Sequence, residues 1–251
     1  MKPFAILVIG SPGSGKSTFC FGLQQIYGEL KRPAVFVNLD PANESVQYKT
    51  DCDVRELVDY EGVLKGEDKI GPNGAFLRCM ELVEERTDVL KKQLAGFDQK
   101  SIFVFDCPGQ VELFTVHSSI LSIVRKLNMN FAVANLVDGC HFQSSSYFTA
   151  LVLQSLNSML HLSLPQVNIM SKVDLLQDLE HPLELYCSCD LNSVLSQASA
   201  GIIDGKYKRM SAAIADLVEE NGLVGFVPMA VEDKECMLFV VGELDRALGY
   251  V

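Results

Sequence analysis

The stretch Gly10-Ser11-Pro12-Gly13-Ser14-Gly15-Lys16-Ser17-Thr18 constrains this chain more than any other part of it. It satisfies G-x-x-x-x-G-K-[ST] at every fixed position, follows an apolar run over 4–9, and opens a helical pattern over 17–30. Gly10, Gly13 and Gly15 let the backbone curl until several N–H groups point inward. The helix that follows aims its positive end at the same spot. Lys16 reaches the β- and γ-phosphates of a bound triphosphate, and the Ser17 hydroxyl can hold magnesium. Ser11, Ser14 and Thr18 complete the set of candidate nucleotide-binding residues in the loop. A chance glycine-rich turn would need neither the strand before it nor the helix after it.

The rest of the chain repeats this alternation. Short apolar runs over 34–39, 101–105, 131–137, 166–170 and, less clearly, 225–229 read as strands covered on both faces. Helical spacing predicts helices over 75–95, 118–127, 146–160, 208–220 and 233–248, the last capped by Asp233. The expected fold is α/β: a single P-loop NTPase domain over 1–251 with a mainly parallel sheet and helices on both faces. Ligands in such sheets sit at the carboxyl ends of the strands. With 48% hydrophobic residues and no linker-like stretch, the 251 residues can fill one core. A net charge of -11 opposes direct binding to nucleic acid or an anionic membrane, and leaves room for a partner with a basic surface. Eight cysteines in no disulfide or metal-ligand pattern fit a reducing compartment. No apolar run approaches the roughly 20 residues that span a bilayer, and the run over 4–9 leads into the loop, not into a cleavage site. A cytoplasmic location is expected.

Three further strand ends carry chemistry. The run Ile102-Phe103-Val104-Phe105-Asp106 ends on an acid placed to bind magnesium, and Cys107-Pro108-Gly109-Gln110-Val111-Glu112 follows. Gly109 permits close approach to the γ-phosphate, and Gln110 stands where GTPases orient the attacking water. Glu112 either helps to position that water or is a surface charge. Asp40, just past the second strand in Asn38-Leu39-Asp40-Pro41-Ala42, faces the same region. It can accept a hydrogen bond from the attacking water or share the magnesium shell. An Asp-Pro pair is also a common turn opener, and the residues alone favour the turn slightly. At the fifth strand end, Ser171-Lys172-Val173-Asp174 stands where N-K-x-D is common in GTPases. An Asp174 carboxylate accepts from guanine N1–H and its exocyclic amine, and the Lys172 stem lies along the base. Ser171 in place of Asn costs a polar contact near the base or the phosphate loop.

By local physics, Ile70-Gly71-Pro72-Asn73-Gly74-Ala75 is a tight turn before the helix over 75–95. Taken with the motifs over 10–18, 38–43, 71–74, 106–114 and 171–174, however, the chain resembles the GPN-loop GTPases over essentially its whole length. Residues 106–119 and 231–237 look most like the second of the family's three eukaryotic paralogues. The family commonly carries Ser before the base-motif Lys.

The resemblance implies a dimer, homo or hetero with family paralogues, in which the Gly-Pro-Asn loop of one subunit reaches the phosphates in the other. Asn73 would act in trans, as an arginine finger does elsewhere. It further implies GTP, GDP and Mg2+ as ligands and a role in RNA polymerase II assembly and nuclear import. Polymerase subunits or assembly factors would be partners, and the protein would shuttle to the nucleus. The expected reaction is in-line transfer of the terminal phosphate to water, with no covalent intermediate. Lys16, Gly13 and Gly15 would hold negative charge, Ser17 and Asp106 the metal, and Gln110 and Asp40 the water. Two rivals stand beside it: a related dimeric ATPase, and a nucleotide-regulated assembly scaffold with negligible turnover. A small-molecule kinase fits less well, because its arginine-rich lid has no counterpart here.

Overall fold

The structure is a computed structural model that describes residues 2–43, 45–66, 70–143, 145–176, 179, 181–197, 205–222 and 224–250. Its sheet is built from β1 (Phe4–Gly10), β2 (Ala34–Asn38), β3 (Cys52–Asp53), β4 (Ile102–Asp106), β5 (Asn130–Asp138), β6 (Gln166–Ser171) and β7 (Phe226–Pro228). The order across the sheet is β3-β2-β4-β1-β5-β6-β7, and every pairing is parallel. β1 runs up the middle, between β4 and β5. The chain leaves it for β2 on one side and reaches β5 on the other, so the carboxyl end of β1 is a point where the winding reverses.

Alternate residues of each strand feed opposite faces. Ala5, Leu7 and Ile9 of β1, with Phe103 and Phe105 of β4, pack under α3 (Pro72–Glu85), α4 (Thr87–Leu94), α5 (Glu112–Thr115) and α6 (Ser119–Leu127). Ile6, Val8, Ile102 and Val104 face the other way, onto α1 (Lys16–Glu29) and α11 (Lys234–Leu248). A third cluster at the β6–β7 end is closed by α7 (Ser145–Leu162), α8 (Leu183–Cys187), α9 (Leu191–Gln197) and α10 (Gly205–Asn221). The short α2 (Tyr60–Leu64) packs on α3. Segment 187–197, hard to place from sequence, is thus mostly helix. Among the described residues, no helix is long and apolar enough to cross a membrane.

Two expectations are corrected here. Gly71-Pro72-Asn73-Gly74 is not a separate turn: Gly71 is the cap of α3, Pro72 its first residue, and Asn73 and Gly74 continue its first turn. A proline in that position has no N–H for the helix to lose and a φ already suited to it. The long helix expected over 75–95 is two helices, α3 and α4, divided at Arg86 (φ -96°, ψ 12°). There the Thr87 hydroxyl donates to the carbonyls of Val83 and Glu84, which competes with the helical ladder.

Candidate functional site

The phosphate loop takes its shape from positive φ at Gly10 (148°), Gly13 (79°) and Gly15 (90°). A Cβ on Gly10 would stand 2.3 Å from the Leu136 carbonyl oxygen, so this loop lies against β5 only with glycine there. Lys16 is 9% exposed, and its Nζ donates to the carbonyls of Gly10 and Ser11 at 3.0 Å each. Burial lowers its pKa, against the pull of Asp106 and Asp40. The first turn of α1 carries no acidic residue to offset its positive end.

Above the loop lies a cleft of about 620 Å³. It is lined by Gly13, Gly15, Lys16, Ser17 and Thr18, by Asp40 and Asn43 from the β2 end, and by Gly109 and Gln110 from the β4 end. Of the loop residues expected to bind nucleotide, Gly10, Ser11 and Ser14 do not line this cleft; they shape and brace the loop beneath it. A Cβ on Gly109 would meet Pro12 backbone atoms at 3.1 Å, so the two loops touch through glycine. Gln110 carries a buried Oε1 with no hydrogen-bond partner.

Asp106 is 2% exposed. Its Oδ2 accepts from the Ser17 hydroxyl at 2.8 Å and from the Tyr48 phenol at 3.1 Å, while Oδ1 is buried without a partner. Burial raises its pKa to about 6, against the lowering effect of Ser17, Tyr48 and Lys16. A buried carboxylate with an orphaned oxygen, beside a hydroxyl and a phosphate loop, suits a cation that also takes phosphate oxygens and water. Magnesium prefers that arrangement to an all-protein cage, and among the described residues no cluster of three or more His, Cys, Asp or Glu side chains forms such a cage.

Asp40 opens the turn and also lines the cleft. Its carboxylate accepts from the Ala42 N–H at 2.9 Å, which is the turn-opening role, and the same side chain lines the cleft. Burial raises its pKa, opposed by that backbone bond and by Lys16. Asn38 holds it from behind: its Oδ1 accepts from Asp40 N–H at 3.1 Å, and its Nδ2 donates to the Asp40 carbonyl at 3.1 Å.

Next to the cleft, and sharing Gly15, Thr18 and Lys172 with it, is a recess of about 150 Å³. Asp174, Ser171, Met229, Val231 and Glu232 complete its wall. Lys172 sits at φ 60° and its Nζ reaches Asp138 Oδ2 at 2.6 Å. Burial alone would raise the Asp138 pKa, but the bonds from Lys172 and Cys140 bring it below the ordinary value. Ser171 does not lose the phosphate-loop contact expected to be missing: its hydroxyl donates to the Ser14 carbonyl at 2.8 Å.

Two predicted catalytic residues lie away from this geometry. Glu112 is exposed on the first turn of α5, outside the cleft lining, which fits the surface-charge reading. Asn73 is exposed at the start of α3 and does not line the cleft of its own chain. Tyr48, Asp138 and Glu232 were missed. Asp138 had a signal, an acid at a strand end, while Tyr48 had none, since nothing in its spacing ties it to a residue 58 positions on.

A family described as "Conserved hypothetical ATP binding protein" matches residues 8–250. GPN-loop GTPase 2 of Saccharomyces cerevisiae is 36% identical, covering 99% of this chain and 75% of the relative. GPN-loop GTPase 2 of Schizosaccharomyces pombe is 40% identical, covering 99% and 81%. The chain belongs to the GPN-loop GTPase family. GPN-loop GTPase 2 of Danio rerio, 39% identical over 98% of this chain and 81% of its own length, agrees. Among solved structures, the apo form of a GTPase from Pyrococcus abyssi superposes with a TM-score of 0.80. It covers 97% of both chains at 20% identity, so its likeness is one of fold. The Gly71-Pro72-Asn73 sequence forms the start of α3.

Proposed function

We propose that this GTPase binds GTP as its magnesium complex and hydrolyses it to GDP and phosphate. The observation that carries the guanine assignment is Asp174 on the wall of a recess joined to the phosphate cleft through Gly15, Thr18 and Lys172. A carboxylate there pairs with N1–H and the exocyclic amine of guanine, and adenine offers neither donor in those places. Lys172, whose Nζ bonds Asp138, would lie along the base.

Magnesium, when bound, supplies charge neutralisation at the β- and γ-phosphates, with Ser17 and Asp106 as its protein partners. Lys16 exchanges its two carbonyl partners for phosphate oxygens. The unpartnered Gln110 Oε1 and the Asp40 carboxylate are the acceptors available to orient water from the cleft wall. Asn73 is exposed and does not line the cleft of its own chain, which agrees with its use on the phosphates of a second subunit. The wider role belongs to the same proposal: a dimeric switch in RNA polymerase II assembly and nuclear import, in the cytoplasm with passage to the nucleus. Its support is the family resemblance, together with an acidic surface suited to a basic partner.

The ATP-binding description of the matched family keeps an adenine reading in view, and calorimetry separates the two. A non-hydrolysable GTP analogue is expected to bind at least about tenfold more tightly than its ATP counterpart, with Asp174→Asn erasing most of that preference. Equal affinities for both analogues in the parent chain would remove the guanine assignment.

A further inference from the structure

Tyr48 lies in the loop between β2 and β3, yet it is 4% exposed and belongs to the core beneath the phosphate loop. Its ring packs on Phe36 with centroids 5.7 Å apart. The residues after it are clasped from two sides. Gln24 of α1 exchanges two hydrogen bonds with the Lys49 backbone, at 2.9 and 3.0 Å. Asp51 accepts from the Phe36 N–H at 2.9 Å through its side chain and donates its own N–H to the Phe36 carbonyl at 2.8 Å. Before it, the same segment carries Asp40 and Asn43 into the cleft wall.

The phenol ends on Asp106, and on one oxygen only. Oδ2 receives both Tyr48 and Ser17, and Oδ1 receives nothing. A carboxylate gripped by two donors on one oxygen cannot turn about its Cβ–Cγ bond without breaking both bonds. Its second oxygen is therefore presented in a fixed direction.

We propose that Tyr48 is a positioning residue for the metal site: its hydroxyl fixes Asp106 so that Oδ1 is the oxygen offered to the magnesium shell. The same bond ties the segment bearing Asp40 and Asn43 to that carboxylate, so metal occupancy and the cleft wall are coupled. This inference rests on the magnesium–nucleotide reading above.

Tyr48→Phe tests it, since the change removes one oxygen and keeps the packed ring. Release of a fluorescent GDP analogue is followed while magnesium is titrated, with a thermal melt confirming the fold. In the parent, magnesium is expected to slow release. In Tyr48→Phe, the half-effective magnesium concentration should rise about tenfold, in line with loss of a hydrogen bond to a charged group. Affinity for the analogue in chelator should stay within about twofold of the parent, since the change removes no contact to the nucleotide. In an Asp106→Asn background the same change should add nothing. An unchanged half-effective concentration in folded Tyr48→Phe overturns the inference. So does a full additive effect in the Asp106→Asn background, which would assign the loss to a loosened loop. If magnesium fails to slow release in the parent, the magnesium reading falls and takes this inference with it.

Discussion

At the scale of single residues, the site is a set of polar groups buried at a cost that a ligand relieves. Asp106 shows this most directly. Burial holds its carboxyl at about 6 in the fold, above the ordinary 3.8. Between those values the folded apoprotein keeps a proton that the unfolded chain has released. The stabilising effect is therefore full below the lower value and is lost as pH rises through the higher one. Asp106→Asn removes the ionisation, so its stability relative to the parent should increase as pH rises from about 4 to about 7.5. The gain has an upper bound of about 3 kcal/mol, from a shift of about two pH units. Denaturant melts in chelator, without nucleotide, measure it. A stability difference that stays flat across that range would mean the carboxyl ionises normally in the apoprotein. Lys16 belongs to the same description: it is a buried cation whose charge is met by two loop carbonyls, at Gly10 and Ser11.

At the scale of elements, what the sequence made legible depended on whether one segment carried its whole signal. The apolar strands announced themselves because parallel strands are covered on both faces. β3 was missed because two residues, Cys52 and Asp53, cannot form a pattern. The start of α3 was misread because Pro followed by Asn-Gly signals a turn and also suits a helix start. Its break at Arg86 depended on a threonine bonding back to carbonyls, which no periodicity reveals. In the site, the strand-end acids were readable because fold class dictates where ligands sit. Tyr48 was not, because its partner comes from a different strand. The helix α11 is the clearest local success. Asp233 was expected as its cap, and the carboxylate accepts from the Glu235 and Cys236 N–H groups at 2.8 and 3.3 Å. α11 buries Met237, Val240, Val241 and Leu244 against the β1 side of the core. Asp233→Ala should therefore lower the denaturant midpoint, with the denaturant slope unchanged, as for the loss of an N-cap. Wild-type stability in that variant would mean the cap bonds are made equally well by water.

At the scale of the whole molecule, one chain gathers nearly every group the reaction needs around the reversal of winding at β1, and leaves Asn73 outside. α3 is packed into the core through Phe76, Cys79 and Met80, while Asn73 stands exposed in its first turn and does not line the cleft of its own chain. Under the proposal above, a partner chain offers Asn73 to the phosphates, which divides the site between two subunits and can be tested. Asn73→Ala should then slow hydrolysis while leaving GTP affinity nearly unchanged, the signature of a contact made only in the transition state. Lys16→Ala, by contrast, should lose nucleotide in its own cleft but still present an intact Asn73. Mixed dimers of the two variants contain one cleft with a working phosphate loop facing a working Asn73. Single-turnover assays of an excess of the lysine variant over the asparagine variant should recover up to about full parental activity per asparagine-variant chain, which is about half per dimer, since one chemical step needs both contributions at once. Mixed dimers that form, as read by mass photometry on size-tagged chains, and yet hydrolyse no faster than the separate variants would place the action of Asn73 within its own chain or remove it from the reaction altogether.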